Sequence, residues 1–243
     1  MKKIFFFIGL LLSYANLTGQ KKVVDSHTAV GIQKVNVHVK FAKSITIKNW
    51  NKNEIEVIAT VNLNKNKDND YFSLQSSESD NIYFVKSDYG DFFEKYKQSI
   101  DKTNENSTYD SMDDCKRDNK IHVDYIIYVP KKMDLSVKSI SGDVDELSYD
   151  GNLTLDLISG SITVKKHSED MHLKTISGDI DVLVSDAEFK AETLTGTVYS
   201  NLDIDFDKGK RHYGGSTIKG KIKNGKASLY LKTISGNIFL RKI

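Results

Sequence analysis

Two pairs of carboxylates stand where chemistry could occur. The phrase Gly-Asp-hydrophobic-Asp occurs at Asp143/Asp145 and again at Asp179/Asp181. Paired carboxylates can act as acid and base in glycoside cleavage, or as oxygen ligands for calcium. Strand alternation puts both members of a pair on one outward face. The doubled glycines of a calcium β-roll are missing. The simpler reading is therefore solvated surface charge, and the sharper one a weak calcium or glycan contact. No catalytic, cofactor-binding or metal-ligating residue is assigned.

Other chemistry has less support. His27, His38, His122, His167, His172 and His212 show no HExxH or similar ligand spacing. There is no nucleophile elbow, P-loop or dinucleotide fingerprint. The single cysteine, Cys115, cannot form an internal disulfide and reads as an incidental thiol in a polar stretch. A polysaccharide-cleaving β-helix enzyme would need Asp, Lys and Arg clustered on one face. Only Asn201–Gly215, with Asp203, Asp205, Asp207, Arg211, His212 and Tyr213, could overhang such a face. A net charge of +2 gives no global attraction to nucleic acid or anionic membrane.

What must position the carboxylates is a recurring phrase. K-T-I-S-G-D-I-D at Lys174–Asp181 returns around Gly142, Gly160, Gly178, Gly196, Gly220 and Gly236. The first four glycines are 18 residues apart, and the last two steps are 24 and 16. A period of this size marks a repeat architecture whose units bury their apolar faces by stacking.

Aligned on glycine, four columns are apolar and are expected to be interior. Position −7 holds Leu135, Leu153, Met171, Phe189, Tyr213 and Leu229; position −5 holds Val137, Leu155, Leu173, Ala191, Gly215 and Leu231. Position −2 holds Ile140, Ile158, Ile176, Leu194, Ile218 and Ile234; position +2 holds Val144, Ile162, Ile180, Val198, Ile222 and Ile238. The first two columns are out of phase with the last two, so a bend is expected between −5 and −2. Position −4 alternates in sign through Lys138, Asp156, Lys174 and Glu192, as neighbours in register would favour. The glycine should mark a bend or a close backbone approach. Ser141, Ser159, Ser177, Thr195 and Ser235 should form an outward hydroxyl ladder. The fold class is all-β: a single-stranded β-solenoid of about 18-residue coils, with an N-terminal β region that continues or caps the stack.

Three segments follow in chain order. Residues 1–19 read as a secretory signal peptide, with Lys2 and Lys3 before the apolar run Ile4–Leu12. Residues 20–130 alternate as strands at Lys34–Phe41, Ser44–Lys48, Glu54–Leu63, Tyr71–Leu74, Asn81–Lys86 and Ile121–Val129, interrupted by a charged insertion at 87–120. A short helix is expected at Phe92–Ile100. Residues 131–243 carry the repeats. No later stretch reaches the roughly 18 apolar residues of a transmembrane helix.

The phrases S-I-S-G-D-V, L-I-S-G-S-I, T-I-S-G-D-I and T-I-S-G-N-I, with V-P-K-K-M-D-L at Val129–Leu135 and Trp50 in Lys48–Val57, resemble a bacterial family of candidate adhesins. That family has β-strand repeats and no assigned function. The resemblance implies a β-solenoid exported to the envelope and brings no catalytic residues. The chain departs from it in Ser87–Lys120 and in the 24-residue step from Gly196 to Gly220. The expected function is a non-enzymatic envelope or surface binding module, in the periplasm, on the outer surface or secreted. Its partner would be a cell-surface glycan or an envelope protein, with no cofactor and no nucleic acid. The alternatives are a β-helix polysaccharide enzyme and a passive scaffold beside a signalling system.

Overall fold

The structure is a computed structural model that describes residues 19–95, 121–146, 149–166, 169–202, 207–208 and 215–242. The expected signal peptide, most of the charged insertion with Cys115, and Asp203, Asp205 and Arg211 to Tyr213 fall outside these residues.

Six strands precede the repeats: β1 (Lys21–Thr28), β2 (Lys34–Trp50), β3 (Glu54–Leu63), β4 (Ser73–Ser79), β5 (Ile82–Asp88) and β6 (Ile121–Pro130). β1 is an edge strand antiparallel to β3. Residues 92–95 begin a helical turn, and the remainder of the expected helix lies beyond the described residues. The repeats contribute β7 (Asp134–Glu146), β8 (Leu153–Ser159), β9 (Ile162–Val164), β10 (Met171–Ser177), β11 (Ile180–Val184), β12 (Ala187–Thr193), β13 (Val198–Ser200), β14 (Asp207–Lys208), β15 (Ser216–Lys221), β16 (Ala227–Ser235) and β17 (Ile238–Lys242).

These strands form two walls. The first runs β4-β5-β2-β7-β8-β10-β16-β12-β15-β14; it is parallel from β5 to β12 and antiparallel at both ends. The second runs β1-β3-β6, the second half of β2, the second half of β7, then β9-β11-β17-β13. Both walls turn their apolar residues into one continuous core. Leu135, Leu153, Met171, Leu229 and Phe189 stack from one side, and Val144, Ile162, Ile180 and Ile238 from the other. Burial of this kind is the main stabilising term, at about 25 cal/mol per Å² of apolar surface.

The N-terminal region continues the stack, one of the two expected arrangements, while the stacking order differs from the sequence expectation. β2 is itself a coil of the stack: Val35 pairs with Leu135, Val37 with Val137 and Ile45 with Val144. It carries no glycine phrase, and its register shifts between Phe41 and Ser44 where the repeats carry glycine. The stacking order is also not the chain order. β8 and β10 each lie 18 residues after their neighbour, but β16 comes next, pairing Leu229 with Met171, and β12 lies beyond it, pairing Phe189 with Leu229. The Gly220 repeat leaves the stack: β15 runs antiparallel on β12, with Gly220 opposite Phe189.

Candidate functional site

The outward surface is set by how each coil turns. The bend lies later than the column phase suggests. Position −3 stays inside, as Ser139, Leu157, Thr175, Thr193 and Thr233, all buried. Positions −2 and −1 then both face out, glycine turns the chain, and position +2 re-enters the core. A buried threonine must satisfy its hydroxyl. Thr175 Oγ1 donates to the Gly160 carbonyl at 3.0 Å, and Thr193 Oγ1 donates to that of Gly236 at 2.8 Å. The glycines stack closely: a Cβ on Gly160 would lie 2.1 Å from the Gly142 carbonyl oxygen.

The isoleucines at −2 are therefore not core. Ile158 is 51% exposed, Ile176 39%, Ile234 37% and Leu194 53%. Ile140 and Ile218 are half-buried. The pairings on either side place Ile140, Ile158, Ile176, Ile234 and Leu194 on successive strands, so they form one apolar ridge across the stack. Apolar side chains that line up on an outward face mark contact surfaces. Ser159, Ser177, Thr195 and Ser235 stand exposed beside the ridge.

The charged column at −4 runs next to this ridge in an order different from the chain's. Crossing the strands it reads Lys138, Asp156, Lys174, Lys232, Glu192. The strict alternation breaks where Lys174 and Lys232 stand side by side. Each lysine finds an acid on its other side: Lys174 Nζ lies 3.4 Å from Asp156, and Lys232 Nζ 4.0 Å from Glu192. Glu192 also takes Lys190 Nζ at 2.5 Å and the Tyr230 hydroxyl at 2.8 Å. These donors, led by Lys190, hold its carboxyl below the usual range against the opposing effect of burial. Burial and the hydrogen bond to Glu192 push the Tyr230 hydroxyl up to about 12.

The four aspartates first singled out do not converge on a site. Asp143 Oδ1 accepts the Ser161 main-chain N–H at 2.9 Å, and Asp179 Oδ1 accepts that of Asn237 at 2.7 Å. Ser161 Oγ accepts from Asp179 N at 3.3 Å, and Asn237 Oδ1 from Thr197 N at 3.1 Å. Position +1 is thus a polar ladder tying one coil to the next. Asp181 is held by Arg241 through Nε and Nη2, each at 2.8 Å. Asp145 is exposed opposite Thr46 and Thr163. Among the described residues, no group of three or more His, Cys, Asp or Glu could hold a metal ion.

Other outward residues were not legible as a group. Phe84 and Lys86 on β5 extend the outward face past β2, in register with Asn36 and His38. On the second wall Tyr199 stacks on Phe239 at 5.2 Å, with the Arg241 guanidinium 5.5 Å from the Phe239 ring. The available signal was strand phase, since each occupies an outward position of an alternating segment.

Comparison with known proteins places this geometry. Residues 148–241 match the family model Toastrack DUF4097. No curated protein matches the chain. A candidate cell adhesion protein from Clostridium sporogenes superposes with a TM-score of 0.54 at 14% identity, covering 92% of this chain and 100% of that one. A candidate adhesin from Bacteroides fragilis gives a TM-score of 0.34 at 11% identity, over 93% of this chain and 99% of that one. No helix among the described residues is long and apolar enough to cross a membrane. The repeat-bearing part of the chain is thus similar to Toastrack domains, and its all-β fold is shared with the Clostridium protein.

Proposed function

We propose that this protein is an exported, non-enzymatic binding module of the cell envelope or surface, acting in the manner of an adhesin. In this reading residues 1–19 are a signal peptide, residues 20–130 an N-terminal β region with its insertion at 87–120, and residues 131–243 a β-solenoid with an interrupted winding order. The outward face of the first wall is the contact surface, and its partner is a surface glycan or an envelope protein. One observation carries the reading: the ridge of Ile158, Ile176 and Ile234 on three adjacent strands, with Leu194 just past the end of β12, is exposed. Adhesin-like neighbours are compatible with it.

The test is a triple variant, Ile158→Thr, Ile176→Thr and Ile234→Thr, measured for binding to whole cells and to envelope extracts. Threonine keeps β-branching and strand preference, so circular dichroism should match the parent while binding falls. Undiminished binding by the folded variant would overturn the ridge as the contact surface.

A further inference from the structure

Toward β5 the outward face ends in a groove of about 630 Å³ between the β4–β5 hairpin, β2 and β7. Its charge is of one sign. Lys34, Lys86 and Lys138 line it, with His38 between the last two. Lys86 pairs with His38, and His38 with Lys138, so three successive strands each present a nitrogen base at one level. Lys34 stands four residues back along β2, roughly 13 Å away at about 3.3 Å per residue. Among the described residues none of the three lysines forms an ion pair, and the two acids nearest them on the same strands are held by amides and a main-chain N–H. Asp88 takes the Gln75 amide and the Gly90 N–H, and Asp134 takes the Asn152 amide.

The remaining lining mixes polar side chains with Phe84, Val37 and Val85. On the outward phase Asn36, Gln75, Ser77 and Ser136 offer amides and hydroxyls, and Phe84 is partly exposed. Amides and hydroxyls match the hydroxyls of a sugar, and an aromatic face suits its C–H surface. The cations are all lysine. A lysine is a point charge without the fork that favours bidentate phosphate. With a single ring and no arginine, the groove lacks the stacked platforms of a single-stranded nucleic acid site.

We propose that this groove binds an acidic polysaccharide carrying carboxylate or sulfate groups at intervals. The chain would lie along β2 with its anions on Lys34 at one end and on Lys86 and Lys138 at the other. The inference deepens the binding-module reading by naming a ligand class, and rests on it in taking the outward face as the contact surface.

The experiment is calorimetric titration of the full chain with polygalacturonate, dextran sulfate and neutral dextran. At least one of the polyanions should bind and neutral dextran should not, and which one binds separates carboxylate from sulfate. The double variant Lys86→Ala, Lys138→Ala should weaken binding about tenfold or more, as loss of two charge-assisted contacts implies. Lys165→Ala, an exposed lysine just after β9 and outside the groove, should leave it unchanged. Binding should also weaken with added salt. Equal binding of neutral dextran, failure of both polyanions to bind, or full affinity in the double variant would overturn the proposal. The ridge variant should bind the polyanion as the parent does. Loss of cell binding with retained polyanion binding, or the reverse, therefore separates the ridge reading from the groove.

Discussion

Thr233 Oγ1 donates a hydrogen bond to the Gly178 carbonyl at 3.0 Å, joining two coils whose sequences lie 55 residues apart. The same contact recurs between Thr175 and Gly160, and between Thr193 and Gly236. A threonine buried at −3 thus explains why a polar residue precedes the outward isoleucine. Thr233→Val should cost about 1–3 kcal/mol, because it leaves a buried carbonyl without this donor. Thr233→Ser keeps the hydroxyl and should cost only about 1 kcal/mol for the lost methyl. Urea unfolding of the two variants decides between them; equal stability would remove the hydroxyl from the account.

The glycine spine makes a second prediction. At Gly178, φ is +150° and a Cβ would meet the Gly160 carbonyl oxygen at 2.1 Å. That obstacle is main chain and cannot move aside without shifting a coil. Gly178→Ala should therefore cost more than about 4 kcal/mol, in the range reserved for severe core lesions. Gly31 has φ +83° and nothing within 4 Å of its would-be Cβ. Gly31→Ala should cost only the conformational strain, about 1–2 kcal/mol. Thermal melts of both would show the gap, or its absence.

Ile176 and Ile180 are four residues apart and meet opposite surroundings. Ile180 is fully buried, and Ile176 is 39% exposed. Ile180→Asp should unfold the stack by burying an unpaired charge. Ile176→Asp should stay folded, with a melting temperature within a few degrees of the parent's. Unfolding of both variants would put the ridge back in the core.

Glu192 gives a dependence on pH. Its folded-state pKa is lowered, first by the hydrogen bond from Lys190. A depressed carboxyl contributes stability that is present above its unfolded pKa and lost as pH falls through the folded value. Because the group is partly exposed, the effect should stay under about 1 kcal/mol. Glu192→Gln should accordingly flatten the acid side of the stability curve and leave its alkaline side unmoved. An unchanged acid limb would mean that Glu192 adds nothing there.

Ending the chain at Asn224 would remove β16 and β17, and with them the strands that separate β10 from β12 and β11 from β13. Residues 187–200 should become sensitive to limited proteolysis while β7, β8 and β10 stay protected. Protection of the whole remainder would contradict the interleaved order.

Much of the fold could be read from residue type, and the errors have physical causes. Columns −7, −5 and +2 were legible because an apolar side chain at a fixed phase has one favourable place. Ile158 and Ile176 were misplaced by the same rule. Their neighbours Leu157 and Thr175 take the interior, and Thr175 can do so only because a glycine carbonyl accepts its proton. That partner lies on another coil and leaves no local trace. The strand order was illegible because the repeats are nearly interchangeable: Leu229 and Leu231 meet Met171 and Leu173 as readily as Phe189 and Ala191 could. That the N-terminal region continues the stack was one expectation, but that β2 forms the coil was hidden because Ala42 and Lys43 stand where glycine would have announced it. Asp143 and Asp179 looked like a site because paired acids resemble one in isolation. Their main-chain donors again come from neighbouring coils.

The interleaving of β16 between β10 and β12 also bears on how the molecule is assembled in time. A regular solenoid can grow by adding each coil to the one before it. Here growth from the N-terminal side halts at β10, since the segment that belongs beside it is made later. Ala187–Thr193 can pair on one edge with β15, but its other edge must wait until Ala227–Ser235 arrives to fill the gap. The closing step joins residues 58 positions apart in sequence, and such distant pairings are slow. A chain made from its N-terminus would thus carry an exposed, unfinished edge until β16 had been made, the state most open to a chaperone or to mispairing with a second copy.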